Sequence, residues 1–207
     1  MTRAQLISAV KVKLEELTPF AEGLVVLASE SDVKPITSYI DVTLDEASDE
    51  MLMLLPLHLL TPTIIPAAMA GAAGIGYLVL PADYLRLYAL KVDTWAREVN
   101  RPISTDNPEY KLQSNPHTRG KSQKPIVAIN YTAGAGRRLE CYSVEAGTPV
   151  VEKKLYIKKI VAEDNPENLA IYLIYLCAIK VYGIIERADM AKVLAEELSN
   201  LIKIQTL

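Results

Sequence analysis

Residues 77–99, YLVLPADYLRLYALKVDTWAREV, change the period of the chain. On either side apolar residues recur at helical spacing. Here Tyr84, Arg86 and Tyr88 alternate with Leu85, Leu87 and Ala89, which places the two sets on opposite faces of a strand. Val79-Leu80-Pro81-Ala82-Asp83, followed by Leu85-Arg86-Leu87, reads as strand, Pro-Asp turn and second strand. A β-rich block between two helical regions restricts the chain to an α+β architecture. It carries no catalytic pattern and argues for assembly rather than chemistry.

Ahead of this block, Thr2 and Gln5 fit a capping box, and Leu6, Ile7, Val10, Leu14 and Leu17 share one helical face. Thr18-Pro19 ends that helix; residues 20–28 are apolar and fit either a short helix or an extended piece. A second helix start lies at residues 32–35. Its stripe runs through Ile36, Ile40, Leu44, Ala47, Met51 and Leu54 to Leu55, with Asp41, Asp45, Glu46, Asp49 and Glu50 as an exposed acidic face. Pro56 disrupts it. Residues 51–82 hold no Lys, Arg, Asp or Glu, but Pro56, Pro62, Pro66, Gly71, Gly74 and Gly76 break any continuous span, and basic anchors are missing. A buried loop or subunit-interface segment is the expectation, with residues 67–76 small enough to pack against another chain. The Gly71–Gly76 run matches neither GxGxxG nor a Lys-bearing phosphate loop.

Strands are expected near 77–80, 84–92, 125–131, 137–143 and 153–159. Gly134-Ala135-Gly136 forms a hairpin turn, and Gly147-Thr148-Pro149 marks the next connection. Asp106-Asn107-Pro108 starts a short helix, and residues 113–124 read as an extended arm. After Asn165-Pro166-Glu167, residues 169–185 are apolar on almost every face, as in a helix buried on several sides. Residues 189–204 form a last amphipathic helix, with Met190, Val193, Leu194, Leu198, Leu201 and Ile202 toward the core. The expected fold is a mainly α-helical bundle with an inserted small antiparallel β-sheet or sandwich and the arm. Its parts are residues 1–76, a β-rich docking platform at 77–160, and residues 161–207.

The 207 residues suit one domain, or one domain with a sizeable insertion. Cys141 and Cys177 read as small core residues, His58 as structural and His117 as a polar loop residue. Neither HExxH nor GxSxG occurs, so no catalytic residue, metal site or cofactor is expected, and the chain is not read as an enzyme. The N-terminus lacks a basic-then-apolar signal, so secretion is not indicated. Residues 97–159 hold twelve Lys and Arg against six Asp and Glu, a net +6, leaving −9 elsewhere. That excess is either a solvated face or a surface steering toward an acidic partner or nucleic acid. The residues proposed for such contact are His117, Arg119, Lys121, Lys124, Arg137 and Arg138. Eleven Tyr against one Phe and one Trp suit either the core boundary or surfaces buried on assembly, which makes Trp95, Tyr84 and Tyr88 candidate packing anchors.

The helix end LMLLPLHLL, the strand pair YLVLPADYLRLYALKV, the arm SNPHTRGKSQKP, the hairpin INYTAGAGRRLECYSV and the final helices IYLIYLCAIKVYGIIERADMAKVLAEEL occur in that order. In this order the chain resembles head-to-tail connector, or adaptor ring, proteins of short-tailed phages, including the crAss-like group. Residues 18–33 add nothing to the match. The resemblance implies a structural virion protein at the portal–tail junction, assembled in the host cytoplasm. It implies a twelve-membered homo-oligomeric ring around the DNA channel, touching the portal, further tail or ring proteins and the passing genome. No membrane is expected. Two other readings stay open: a nucleic-acid-binding module using Arg119, Lys121, Lys124, Arg137 and Arg138, and a membrane-associated or pore-forming protein using residues 51–82 and 169–185.

Overall fold

The structure is a computed structural model and describes residues 1–17, 35–72, 74–132, 136–144 and 146–204. The readings made for Thr18-Pro19, residues 20–28, the helix start at Asp32 and the turn residues Gly134 and Ala135 lie outside the described residues. The chain is α+β and divides into two compact units. One joins Met1–Leu59 with Ile160–Leu207; the other is Leu60–Lys159.

The first unit is helical: α1 (Arg3–Leu17), α2 (Ile36–Leu54), and, after the β unit, α4 (Ala170–Ile184) and α5 (Ala188–Ile204). The capping box is present, with the Thr2 N–H donating to Gln5 Oε1 at 2.8 Å and the Gln5 N–H to Thr2 Oγ1 at 3.3 Å. Leu55 is extended before Pro56, as the proline ring requires, and α2 stops there. Ile40, Leu44, Ala47 and Met51 are buried, whereas Leu54, expected on the same stripe, is 54 % exposed because the helix ends before its face can be covered.

Helix α4 packs against α1, α2 and α5. The window Glu167–Ile184 is long and apolar enough to cross a membrane by length and composition, and half of it is buried inside the protein. Packing on three helices accounts for that apolar character. Its Tyr182 is fully buried and donates to the Leu14 carbonyl at 2.8 Å, so the hydroxyl satisfies a helix-end carbonyl of α1. The acidic face of α2 is exposed, as expected, at Asp41, Glu46 and Glu50, but these carboxylates and that of Asp45 are ion-paired. Arg3 reaches Asp41 at 2.6 Å, Asp45 at 3.3 Å and Glu163 at 3.2 Å; Lys180 reaches Glu46 at 3.1 Å and Glu50 at 2.7 Å. Each carboxylate pair is spaced i, i+4, and one cation from another helix bridges both members.

The second unit holds the described strands β1 (Thr63–Ile64), β2 (Ala70–Ala72), β3 (Ile75–Val79), β4 (Tyr84–Val92), β5 (Ile103–Ser104), β6 (Val127–Thr132), β7 (Gly136–Tyr142) and β8 (Val151–Lys158), with the short helix α3 (Pro108–Leu112). They form two sheets, β1-β8-β4 and β2-β3-β7-β6-β5, antiparallel except for the parallel pair β5/β6. Both sheets contribute to one core, in which Leu78, Leu87, Leu90, Trp95, Leu139 and Tyr156 are buried. The sandwich therefore starts at Leu60 rather than Tyr77. In the segment expected to be a buried loop or to pack against another chain, residues 70–72 and 75–77 form the β2/β3 hairpin, paired Ala70↔Tyr77 to Ala72↔Ile75.

Strict alternation in β4 is also broken. Register shifts at Tyr84/Arg86 and Leu87/Ala89 let both Tyr84 and Leu87 reach the core, although period 2 would put them on opposite faces. The expected extended arm 113–124 is a folded loop. Gln113 is buried and its Oε1 accepts from the Gly120 N–H at 2.8 Å; Ser143 Oγ donates to the Gly120 carbonyl; the Ala96 N–H donates to the Ser122 carbonyl at 2.9 Å. Backbone polar groups there find partners inside the unit, which a free arm would leave to water.

The two ends of this unit meet, because β1 pairs with β8 at Thr63↔Tyr156 and Ile64↔Leu155. A fragment of residues 60–159 is therefore expected to fold alone, with a cooperative thermal transition and blue-shifted Trp95 emission. Solvent-like emission without a transition would contradict this.

Candidate functional site

Among the described residues, no group of three or more His, Cys, Asp or Glu is placed to hold a metal. Both cysteines are buried; burial pushes the Cys177 thiol up to about 11 and raises Cys141 as well, which keeps them protonated. The feature that stands out is charge. Leu60–Lys159 carries fourteen Lys and Arg against eight Asp and Glu, a net +6, while the helical unit carries −9.

Much of that positive charge is engaged. Lys91 pairs with Glu152 at 2.6 Å, Lys153 with Glu98 at 2.8 Å and Arg138 with Glu140 at 2.9 Å; Lys154 donates to the Ala67 carbonyl at 2.8 Å. Arg97, Arg101, Lys121 and Lys124 have no ion-pair or hydrogen-bond partner for their charged groups among the described residues. These four line two adjoining clefts of about 290 and 310 Å³. Arg97 and Arg101 stand in the first cleft, Lys121 in the second, and Lys124, Glu109 and Ile126 in the walls of both. The half-buried Arg86 has its pKa lowered, first by burial and then by the charge of Arg101, so positive potential accumulates at that end.

The local sequence explains how the clefts are shaped. Asn107 caps α3, its Oδ1 accepting from the Glu109 N–H at 2.9 Å, and Pro108 occupies the first turn. After α3 the chain turns back, and Lys121 and Lys124 exchange backbone hydrogen bonds at 3.2 and 2.9 Å. That bridge leaves both side chains exposed.

The structure separates the residues proposed from sequence. His117, Lys121 and Lys124 lie on the loop and line the second cleft with Arg119. Arg119 is half-buried against the β2/β3 turn: a Cβ at Gly74 would lie 2.9 Å from its Nη1, and Gly74 has φ +80°. It docks the loop. Arg137 lies over the Tyr84 ring at 5.2 Å and donates to the Tyr84 carbonyl at 3.4 Å. Arg138 pairs with Glu140 and covers the Tyr77 ring at 4.5 Å. Tyr84 is buried and stacked on Tyr156 at 5.8 Å; burial, opposed by Arg137, pushes its hydroxyl up to about 12. Trp95 is 2 % exposed and donates to the Ser143 carbonyl at 3.1 Å. Trp95 and Tyr84 therefore pack the unit's own core instead of standing ready as interface anchors; Tyr88 is half-buried on β4.

Sequence reasoning passed over Arg97 and Arg101 as contact residues, and it missed Glu140. That carboxylate is buried on β7 and accepts from Tyr110 at 3.0 Å, Asn130 at 3.0 Å, Arg138 at 2.9 Å and Tyr142 at 3.0 Å. The donors come from α3, β6 and β7, so one acid fastens the base of the cleft loop to the sheet. The available signal was Arg138-Leu139-Glu140, whose period places Arg138 and Glu140 on one strand face and Leu139 in the core.

No protein-family model matches the chain, and no curated protein matches it.

Burial alone would raise the Glu140 pKa, but the bonds from Asn130, Arg138, Tyr110 and Tyr142 outweigh it and hold the carboxyl below its usual range. A depressed folded pKa stabilises the protein above the unfolded value of about 4.3, and that contribution is lost as pH falls through the folded value. The stability gap between wild type and Glu140→Gln, from urea unfolding, should be full near neutral pH and shrink in acid; a constant gap would refute it. Glu140→Ala strands four donors and should cost about 3 kcal/mol. Gly74→Ala, strained at positive φ and meeting Arg119, should cost about 1–3 kcal/mol in the same measurement.

Proposed function

We propose that this chain is a structural virion protein, a head-to-tail adaptor that repeats around the DNA channel between portal and tail. The reading draws on the resemblance of its segment order to phage connector proteins. The single observation supporting it is the partition of charge between two self-contained units, −9 on the helical unit and +6 on the β unit. Unlike charges on separate units favour heterologous contact, and such contacts close into a ring when the rotation between copies permits. The portal and further tail or ring proteins are the partners in this reading, and the junction in the virion is the location.

Electron microscopy of purified virions, with the chain localised by a tag or antibody, tests this. Density in a ring at the portal–tail junction is expected, with twelve copies if the ring matches the family's pattern. A particle that lacks the chain would sink the proposal.

A further inference from the structure

We infer that the two adjoining clefts on either side of Lys124 bind the phosphodiester backbone of a nucleic-acid duplex, through Arg97 and Arg101 at one end, Lys121 at the other and Lys124 between. The inference rests on the adaptor reading only for the source of the duplex; the site itself is a property of the isolated chain.

Charge is the first ground. Across the β unit, carboxylates, carbonyls and rings engage Lys91, Arg137, Arg138, Lys153 and Lys154. The charged groups of Arg97, Arg101, Lys121 and Lys124 have no partner among the described residues and gather on one surface; the exposed Lys111 and Lys158 line neither cleft. Basic groups left in solvent near one another repel, and a bound polyanion relieves that repulsion while releasing its own counterions. The second ground is the placement of Glu109 in the wall common to both clefts, beside Lys124. Glu98, at the first cleft, is already matched by Lys153. An acid standing between two positive ends disfavours one compact anion at the centre. It suits a ligand whose negative charges are spaced, with one phosphate on each side.

The walls decide between kinds of polyanion. Neither cleft is lined by Tyr, Trp or Phe, and His117 is the one imidazole, on the second cleft alone, so the lining lacks the succession of rings on which single-strand binding depends. An acidic peptide would need a deep apolar anchor site. Leu112 is the lining residue with a largely exposed apolar side chain, at 52 %, and it stands on the second cleft alone. Duplex backbone needs neither feature. Contacts of this type position the duplex without reading its sequence.

The test uses the full chain and a mixed-sequence DNA duplex, with affinity followed by fluorescence anisotropy over a salt series. Wild type should bind, with affinity falling steeply as salt rises. Arg97→Ala/Arg101→Ala/Lys124→Ala should bind at least about tenfold more weakly, and its log–log salt slope should be shallower by about three, one per lost phosphate contact. Circular dichroism should be unchanged, because these charged groups hold no partner among the described residues. Glu109→Gln should bind more tightly than wild type, an effect that loss of folding cannot produce. Lys158→Ala/Lys192→Ala, which removes two exposed charges elsewhere, should behave as wild type. Absence of duplex binding, an equal loss in that control, or tighter binding of poly-glutamate than of DNA would each overturn the inference. Competition by tripolyphosphate at equal phosphate concentration would also overturn it, by showing a site for compact anions. Because the assay needs no ring, its failure leaves the virion localisation unaffected, and a failed localisation leaves the cleft result standing.

Discussion

The antiparallel pairing of β1 with β8 is the constraint on which the β unit depends. Thr63 and Ile64 meet Tyr156 and Leu155, and the ladder is extended when the Ile65 N–H donates to the Lys154 carbonyl at 2.8 Å and Lys154 Nζ to the Ala67 carbonyl at 2.8 Å. These contacts bring the first and last segments of a hundred-residue insertion side by side. A unit whose ends coincide can interrupt a helical body at one point, and its own two-sheet core gives it the means to stay folded. The long β4/β8 ladder beside the β1/β8 pair supplies the rest of the layer that shares a core with the five-stranded sheet, in which Leu78, Leu139 and Trp95 are buried.

Electrostatics then distinguishes structural charges from available ones. In the helical unit, Arg3 and Lys180 each draw two carboxylates of α2 toward another helix. Such partly exposed pairs contribute modestly one by one, but they leave little of the α2 acidic face free. In the β unit, Glu140 gathers Arg138, Tyr110, Tyr142 and Asn130, and those bonds fasten α3 while the Lys121–Lys124 turn presents its cations outward. One buried acid thus supports the surface on which Arg97, Arg101, Lys121 and Lys124 gather, which links the interior of the sheet to the candidate site.

Periodicity was legible wherever an element was long enough to show it. The expected strands 77–80, 84–92, 125–131, 137–143 and 153–159 correspond to β3, β4, β6, β7 and β8, and the capping box at Thr2 and Gln5 marks the start of α1. Strands β1, β2 and β5, of two or three residues, are too short to carry a period, so the start of the β unit was placed too late. The loop 113–124 looked like an arm because it is polar. Its tethers are a buried Gln113 and hydrogen bonds to Ala96 and Ser143, which no local pattern announces. Likewise, Arg138 and Lys121 are equivalent as letters, and only their neighbours show that one is neutralised and the other is not.

By itself, the sequence determined which stretches are helix and which are strand, that the two kinds are segregated along the chain, and that positive charge concentrates in the β-rich part. These properties follow from residue spacing and composition, both local. Only the tertiary structure decided that Trp95 and Tyr84 serve the core, that Arg119, Arg137 and Arg138 are engaged, and that Arg97, Arg101, Lys121 and Lys124 share one surface. The physical reason is that burial and charge pairing depend on which distant residues are brought within a few ångströms, and strand pairing across the chain, not spacing along it, sets those distances.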